Sequence, residues 1–166
     1  MKNCIRIAFA LSFILTAASV FAQADAQQSF NKLKALTGNW VGTTSDGRSV
    51  EVEFRETSAG SALMSEIKGD GKHHMISMFN LDGPNKLVIT HYCSAGNQPR
   101  MVAAPSSDGK TFTFTFVDGM NIPDADSGHM QTVAFAVTDA SHHTETWTYI
   151  DHGKTHDMVF DLHRKG

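Results

Sequence analysis

Apolar and polar side chains alternate along most of the chain, as expected for strands that bury one face and expose the other. Residues 110–117 show it best, since Phe112, Phe114 and Phe116 alternate with three threonines. Short segments rich in Gly, Asp, Asn and Ser, which favour turns, separate such runs. The pattern predicts ten strands, at 39–44, 49–56, 61–68, 73–81, 86–93, 99–104, 110–117, 129–138, 142–150 and 155–163.

One segment before the strands has the spacing of a helix. Phe30, Leu33 and Leu36 recur every three residues, and Gly38 follows them, which predicts a short amphipathic helix. Turns this short join neighbouring strands into an antiparallel meander, and a long meander loses its exposed edges by closing on itself. The predicted fold is therefore all-β: an antiparallel up-and-down barrel of about ten strands with a short N-terminal helix.

The first 22 residues resemble an export signal. Lys2 and Arg6 precede an apolar run from Ile7 to Val20, and small residues follow where a signal peptidase would cut. This run is shorter than the roughly 20 residues of a membrane-spanning helix, and no longer one follows. We therefore expect a signal peptide over 1–22, a segment carrying the helix over 23–38 and a barrel over 39–166, in a periplasmic or extracellular protein without a membrane span.

Charge and cysteine content restrict the possible partners and crosslinks. Without residues 1–22, the chain keeps 12 basic and 17 acidic side chains, a formal charge of −5. A nucleic-acid partner would require a basic face, so none is expected. Cys93 is the one cysteine left after removal of the signal, so packing and not an intrachain disulfide must stabilise the fold.

Two features of the sequence resemble known proteins. Gly38-Asn39-Trp40 at the start of the first strand resembles the Gly-x-Trp signature of the calycins, the superfamily of lipocalins and fatty-acid-binding proteins. Thr90–Met101, His129 and Thr144–Trp147 look like a group of exported bacterial proteins of uncharacterised function. The calycin resemblance implies a barrel with a helix at one end and an open mouth at the other. Nitrobindin-type haem barrels are a further comparison, but VGTTSDGRSVE after Trp40 lacks their Tyr-Pro segment.

Strand alternation and hairpin order together predict where polar side chains gather. His91 and Cys93 share the inward face of one strand, and Glu145 and Trp147 share that of another. Alternate turns of a meander lie at opposite ends, so six of the nine histidines are assigned to the mouth. These are His73, His74, His91, His129, His152 and His156.

The predicted function is to bind a small, partly apolar molecule inside the barrel, with aromatic walls and a few polar groups that orient the ligand. The sequence predicts no cofactor, metal site or catalytic residue. The predicted ligand-binding residues are His91, Tyr92, Asn97, Arg100, His129, Glu145 and Trp147.

Three other interpretations of these residues stay open. The inward aromatic side chains could fill the barrel completely, as they do in small barrels. A His/Glu/Arg cluster, or Cys93 with His91, could make the protein an enzyme. The histidines could also bind haem or a metal ion, since neutral imidazole is a ligand for zinc and copper.

Overall fold

The computed structural model describes residues 26–69, 73–104, 106, 108–124 and 126–166. Helix α1 covers residues 26–34, and a 3₁₀ turn, Ser58–Gly60, follows the second strand. The strands are β1 Gly38–Thr44, β2 Ser49–Thr57, β3 Ala62–Lys68, β4 Met75–Leu81, β5 Leu87–Tyr92, β6 Gln98–Ala103, β7 Thr111–Met120, β8 His129–Val137, β9 His142–Asp151 and β10 Lys154–Arg164. The predicted export signal lies outside the described residues.

The ten strands form one closed barrel in which every strand pairs antiparallel with its neighbours in sequence. The first strand closes against the last, with Trp40 opposite Arg164 and Gly42 opposite Leu162. Closure leaves no unpaired sheet edge. The predicted up-and-down barrel with a short N-terminal helix is confirmed. The largest shift of a strand boundary is at the end of β7, which continues to Met120 because its pairing with β6 extends past an irregularity in register.

The helix packs on one end of the barrel through the predicted apolar side chains. Phe30, Leu33 and Leu36 are buried in the core, next to Trp40. The indole of Trp40 donates a hydrogen bond from Nε1 to the carbonyl of Leu36 at 2.7 Å, which satisfies a buried donor. Arg164 covers the Trp40 ring from outside, with its guanidinium carbon 4.3 Å from the ring centroid. This end of the barrel is closed, and we call the opposite end the mouth.

Aromatic side chains fill the half of the barrel nearer the helix. Phe79, Phe114 and Phe135 are fully buried and meet edge to face, with ring centroids 5.5 to 6.1 Å apart. Phe54 joins them from β2, at 6.4 Å from Phe135. Burying each such side chain contributes roughly 1.5–3 kcal/mol to the free energy of unfolding. The prediction that alternate residues such as Phe112 and Phe114 point inward is confirmed.

Two register shifts interrupt the alternation near the mouth. One lies between Arg100 and Met101 where β6 pairs with β7, and the other lies between Met130 and Thr132 where β8 pairs with β9. Each adds a residue to one strand, which changes the face that later side chains occupy. In β8 the shift brings Met130 opposite Tyr149 and His129 opposite Ile150.

Among the described residues, no helix combines the length and the apolar character needed to cross a lipid bilayer.

Candidate functional site

A cavity of about 660 Å³ occupies the mouth half of the barrel. It reaches the turns between β1 and β2 and between β5 and β6, at the end where the hairpin order predicted a mouth. Its lining residues are Thr44, Arg48, Ser49, Val50, Ile67, Gly69, His73, Met75, Cys93, Ser94, Ala95, Met130, Trp147, Tyr149, His156, Asp157, Met158 and Phe160.

The deeper wall of this cavity is apolar and adaptable. Val50, Ile67 and Phe160 contribute branched and aromatic surface, and Met130 and Met158 contribute flexible thioethers. A largely apolar pocket with a few polar groups is the usual form of a small-molecule site, which commonly encloses roughly 300–1,000 Å³. The cavity is therefore wide enough for a ligand of modest size.

Polar side chains lie around the entrance. The Arg48 guanidinium donates from Nε to the Asp46 carboxylate at 2.8 Å, so its charge is already paired. Burial raises the pKa of the Cys93 thiol, and burial together with the nearby Cys93 and Asp151 raises the pKa of Tyr149. A raised thiol pKa keeps Cys93 protonated at neutral pH, the opposite of what an activated nucleophile requires.

Three buried polar residues lie next to one another across β3, β4 and β5. Ser65 pairs in register with Ser77, and Ser77 pairs with His91. All three side chains point into the barrel and are at most 1% exposed. We call Ser65, Ser77 and His91 the serine–histidine layer.

His91 is the central group of this layer. Its Nδ1 lies 2.9 Å from the Ser77 hydroxyl, and its ring contacts Trp147 with centroids 4.8 Å apart. Burial lowers the pKa of His91 to about 4, so the imidazole is neutral at pH 7. His91 Nε2 and the Ser65 hydroxyl are buried and find no hydrogen-bond partner within the described chain. Each such orphaned group costs about 1–3 kcal/mol of stability.

Glu145 occupies a second buried polar cluster, deeper in the barrel. One carboxylate oxygen accepts a hydrogen bond from Trp147 Nε1 at 2.9 Å, and the other lies 3.2 Å from His143 Nε2. Glu145 and His143 are both 0% exposed, and the His143 ring packs edge-on against Trp40 at 4.3 Å. These bonds satisfy a carboxylate that would otherwise be costly to bury. Trp147 therefore joins this cluster to the serine–histidine layer.

The structure brings together three of the predicted ligand-binding residues. His91, Glu145 and Trp147 all point inward. Trp147 connects the other two, through its ring contact with His91 and its hydrogen bond to Glu145. Trp147 lines the cavity itself, whereas His91 and Glu145 lie beyond its wall.

The other four predicted residues lie elsewhere. Tyr92 is 46% exposed, and Arg100 forms an exposed ion pair with Asp118, its Nε 2.7 Å from the carboxylate. His129 is buried against Phe116, with its Nδ1 bonded to the Ser127 carbonyl at 2.7 Å. Asn97 donates from Nδ2 to the Gly128 carbonyl at 2.7 Å and so fixes the long β7–β8 connection. None of the four lines the cavity.

Sequence reasoning did not select Ser65, Ser77 or His143 as functional residues. Alternation contained the necessary signal, because Ser65 shares the face of Leu63 and Ile67, and Ser77 shares that of Phe79. A serine in a sequence does not by itself indicate a functional site, because most serines have no specific chemical role. Its position beside a buried histidine depends on the cross-strand register.

A cluster of three potential metal ligands lies on the outer face of β9 and β10, away from the cavity. The ligand atoms of His142, Asp161 and His163 all lie within 4.8 Å of one another. His142 Nε2 lies 2.6 Å from the Asp161 carboxylate, and the two imidazoles stack with centroids 4.5 Å apart. Hydrogen bonding and stacking account for this surface arrangement.

Comparison with known proteins shows a relationship of fold alone. The chain is similar to the crystal structure of Rv2717c from M. tuberculosis, with 18% sequence identity and a TM-score of 0.55. The similarity covers 83% of this chain and 98% of Rv2717c. The sequence matches no protein-family model and no curated protein. These findings support the barrel architecture and name no function.

Proposed function

We propose that this chain is an exported, calycin-like protein that binds a small, partly apolar molecule in the mouth half of its barrel. The cavity of about 660 Å³ is the observation that carries the proposal. A barrel completely filled by its own side chains would leave no such space. Residues 1–22, with their resemblance to an export signal, support the proposed location.

The division of the barrel into two halves supports the same function. Aromatic rings pack the helix half, so the fold does not depend on filling the mouth half. Apolar side chains line the deeper part of the cavity, and polar groups surround its entrance. This arrangement favours a ligand whose apolar part is enclosed.

Met158 and its neighbour Val159 offer a matched test of the proposal. Met158 lines the cavity, whereas Val159 is 36% exposed on the other face of the same strand. Met158→Trp should fill part of the cavity and weaken binding of the fluorescent apolar probe N-phenyl-1-naphthylamine about tenfold or more, since each buried CH₂ contributes about 0.8 kcal/mol. Val159→Trp should leave the affinity unchanged. Titration of the probe into the purified protein, followed by its fluorescence, measures both.

Native mass spectrometry of the purified protein identifies any molecule that remains bound. The proposal predicts a small organic molecule that dissociates under harsher desolvation. It is overturned if the probe binds wild type and Met158→Trp equally, or does not bind at all. Haem or a metal ion retained in stoichiometric amount would instead support the interpretation that the protein binds haem or a metal ion.

A further inference from the structure

The serine–histidine layer adjoins the cavity. Each of its residues is the next inward-facing position along its strand from a residue of the cavity lining, about 6.6 Å away. Trp147 lines the cavity and also contacts the His91 ring, which joins the layer to the wall. The neighbouring lining residues are Ile67 beside Ser65, Met75 beside Ser77 and Cys93 beside His91.

Two polar atoms of this layer have unused hydrogen-bonding capacity. Ser65 is 1% exposed and His91 is 0% exposed, yet the Ser65 hydroxyl and His91 Nε2 have no partner among the described residues. Buried polar groups are nearly always hydrogen-bonded, and exceptions call for a physical reason. The single hydrogen bond within the layer, between the Ser77 hydroxyl and His91 Nδ1, leaves both atoms unpaired.

The charges around the layer determine which group can pair with these atoms. No lysine or arginine belongs to the layer, and Arg48 is the one such residue in the described lining of the cavity. Arg48 lies at the mouth and is already bonded to Asp46. An anionic group buried at the layer would therefore lose its hydration without gaining a positive partner.

We propose that the serine–histidine layer binds a hydroxyl group at the inner end of the ligand. A hydroxyl both donates and accepts, so it can pair with the Ser65 hydroxyl and with neutral His91 Nε2 in either tautomer. The ligand class is then a neutral alcohol with an apolar body, which enters hydroxyl first. This inference rests on the proposed function, because it requires a ligand in the same cavity.

The experiment uses three probes with the same carbon chain. Octane, 1-octanol and octanoate compete with N-phenyl-1-naphthylamine for wild-type protein, for Ser65→Ala and for a control, Ser94→Ala. Ser94 also lines the cavity but lies at the mouth, outside the layer. In wild type we expect 1-octanol to bind more tightly than octane and octanoate. Ser65→Ala should weaken 1-octanol about three- to tenfold and leave octane unchanged.

The outcomes separate this inference from the proposed function. If none of the probes binds wild-type protein, the proposed function fails. If the probes bind but Ser65→Ala changes 1-octanol and octane by the same factor, the cavity stands and the hydroxyl subsite is wrong. A loss of 1-octanol affinity as large in Ser94→Ala as in Ser65→Ala, or octanoate as the preferred ligand, also overturns the inference.

Discussion

At the residue scale, the burial of His91 makes folding sensitive to acid. The folded protein holds this imidazole neutral, with a pKa of about 4 that burial lowers from the usual 6.5. Between these two values the unfolded chain binds a proton at position 91 and the folded chain does not. The free energy of unfolding must therefore fall as the pH drops through this window, by at most about 1.4 kcal/mol per pH unit. Above pH 6.5 both states are neutral, and His91 adds no pH dependence.

Replacing His91 by Gln should remove this acid sensitivity. Wild type is expected to lose about 2 kcal/mol more unfolding free energy than His91→Gln between roughly pH 7.5 and pH 5, because Gln does not titrate. Urea denaturation at the two pH values measures the difference. His152→Gln is the control for the same substitution at an exposed position, since that side chain is 82% exposed. Equal pH dependence in wild type and His91→Gln would contradict the assignment.

At this scale, alternation found the inward His91, Glu145 and Trp147 from the sequence. Arg100 was predicted to bind the ligand with them, but it alternates with the buried Met101 and forms its ion pair with Asp118 on the outer face. His129 was assigned to the mouth, but the face of β8 that it occupies depends on the register shift near Gln131, which is set by pairing with β9. Local sequence does not contain that information.

At the scale of elements, one side chain of β10 fastens α1 to the barrel. The Arg164 guanidinium donates to the Thr37, Ala35 and Ala140 carbonyls at 2.8, 3.0 and 2.8 Å. The first two carbonyls belong to the segment that leaves the helix, where backbone acceptors have no helical partner. The fork geometry of arginine allows all three bonds while the guanidinium stacks on Trp40.

Replacing Arg164 by Lys should loosen this attachment although the charge is kept. An ammonium cannot reach three separate carbonyls, so we expect a loss of about 1–2 kcal/mol in unfolding free energy. Hydrogen exchange of the Trp40 indole N–H, which is bonded to Leu36, should also become faster. Arg55→Lys, on the outer face of β2, is the matched control. The role of Arg164 is refuted if both variants have the same stability and indole exchange rate.

The elements themselves were largely predictable. A period of two and turn residues predicted ten strands, and Phe30, Leu33 and Leu36 predicted the helix. Arg164 gave no such signal, because a charged residue near a chain end resembles an ordinary surface residue. Its role arises only when the last strand lies beside the first.

At the scale of the whole molecule, the barrel closes at a seam where β1 pairs with β10. A glycine in β1 allows the two strands to approach closely there. A Cβ atom built at Gly42 would lie 1.8 Å from the Asp161 carbonyl oxygen of the facing strand. Any other residue would force the strands apart. The barrel thus depends at this position on the absence of a side chain.

Gly42→Ala should therefore destabilise the protein by more than about 3 kcal/mol or prevent folding, because the backbone of β10 cannot move without breaking its pairing. Gly47→Ala is the comparison. It meets open space but keeps a positive φ of 83°, so it should cost about 1–2 kcal/mol for strain alone. Urea denaturation and circular dichroism measure both. A Gly42→Ala protein as stable as Gly47→Ala would show that the seam tolerates a methyl group.

Barrel closure followed from the order of the hairpins, and the number of strands favoured a cavity, but neither shows which half of the barrel is hollow. The difference between a filled and a hollow half depends on the volumes of side chains that face each other across the barrel. Phe79 and Phe135 meet in the helix half, whereas Met130 and Met158 leave space in the mouth half. Such facing pairs come from strands far apart in sequence, so a one-dimensional pattern does not show them.

The pairing of the first strand with the last also has a consequence for biosynthesis. Trp40 pairs with Arg164, so the barrel cannot close until β10 has been made. Until then β1 and the newest strand both present open edges, which can pair with other chains and aggregate. Contacts this distant in sequence also slow folding, because a long loop must be ordered first. The growing chain therefore needs protection from premature association until β10 is available to pair with β1.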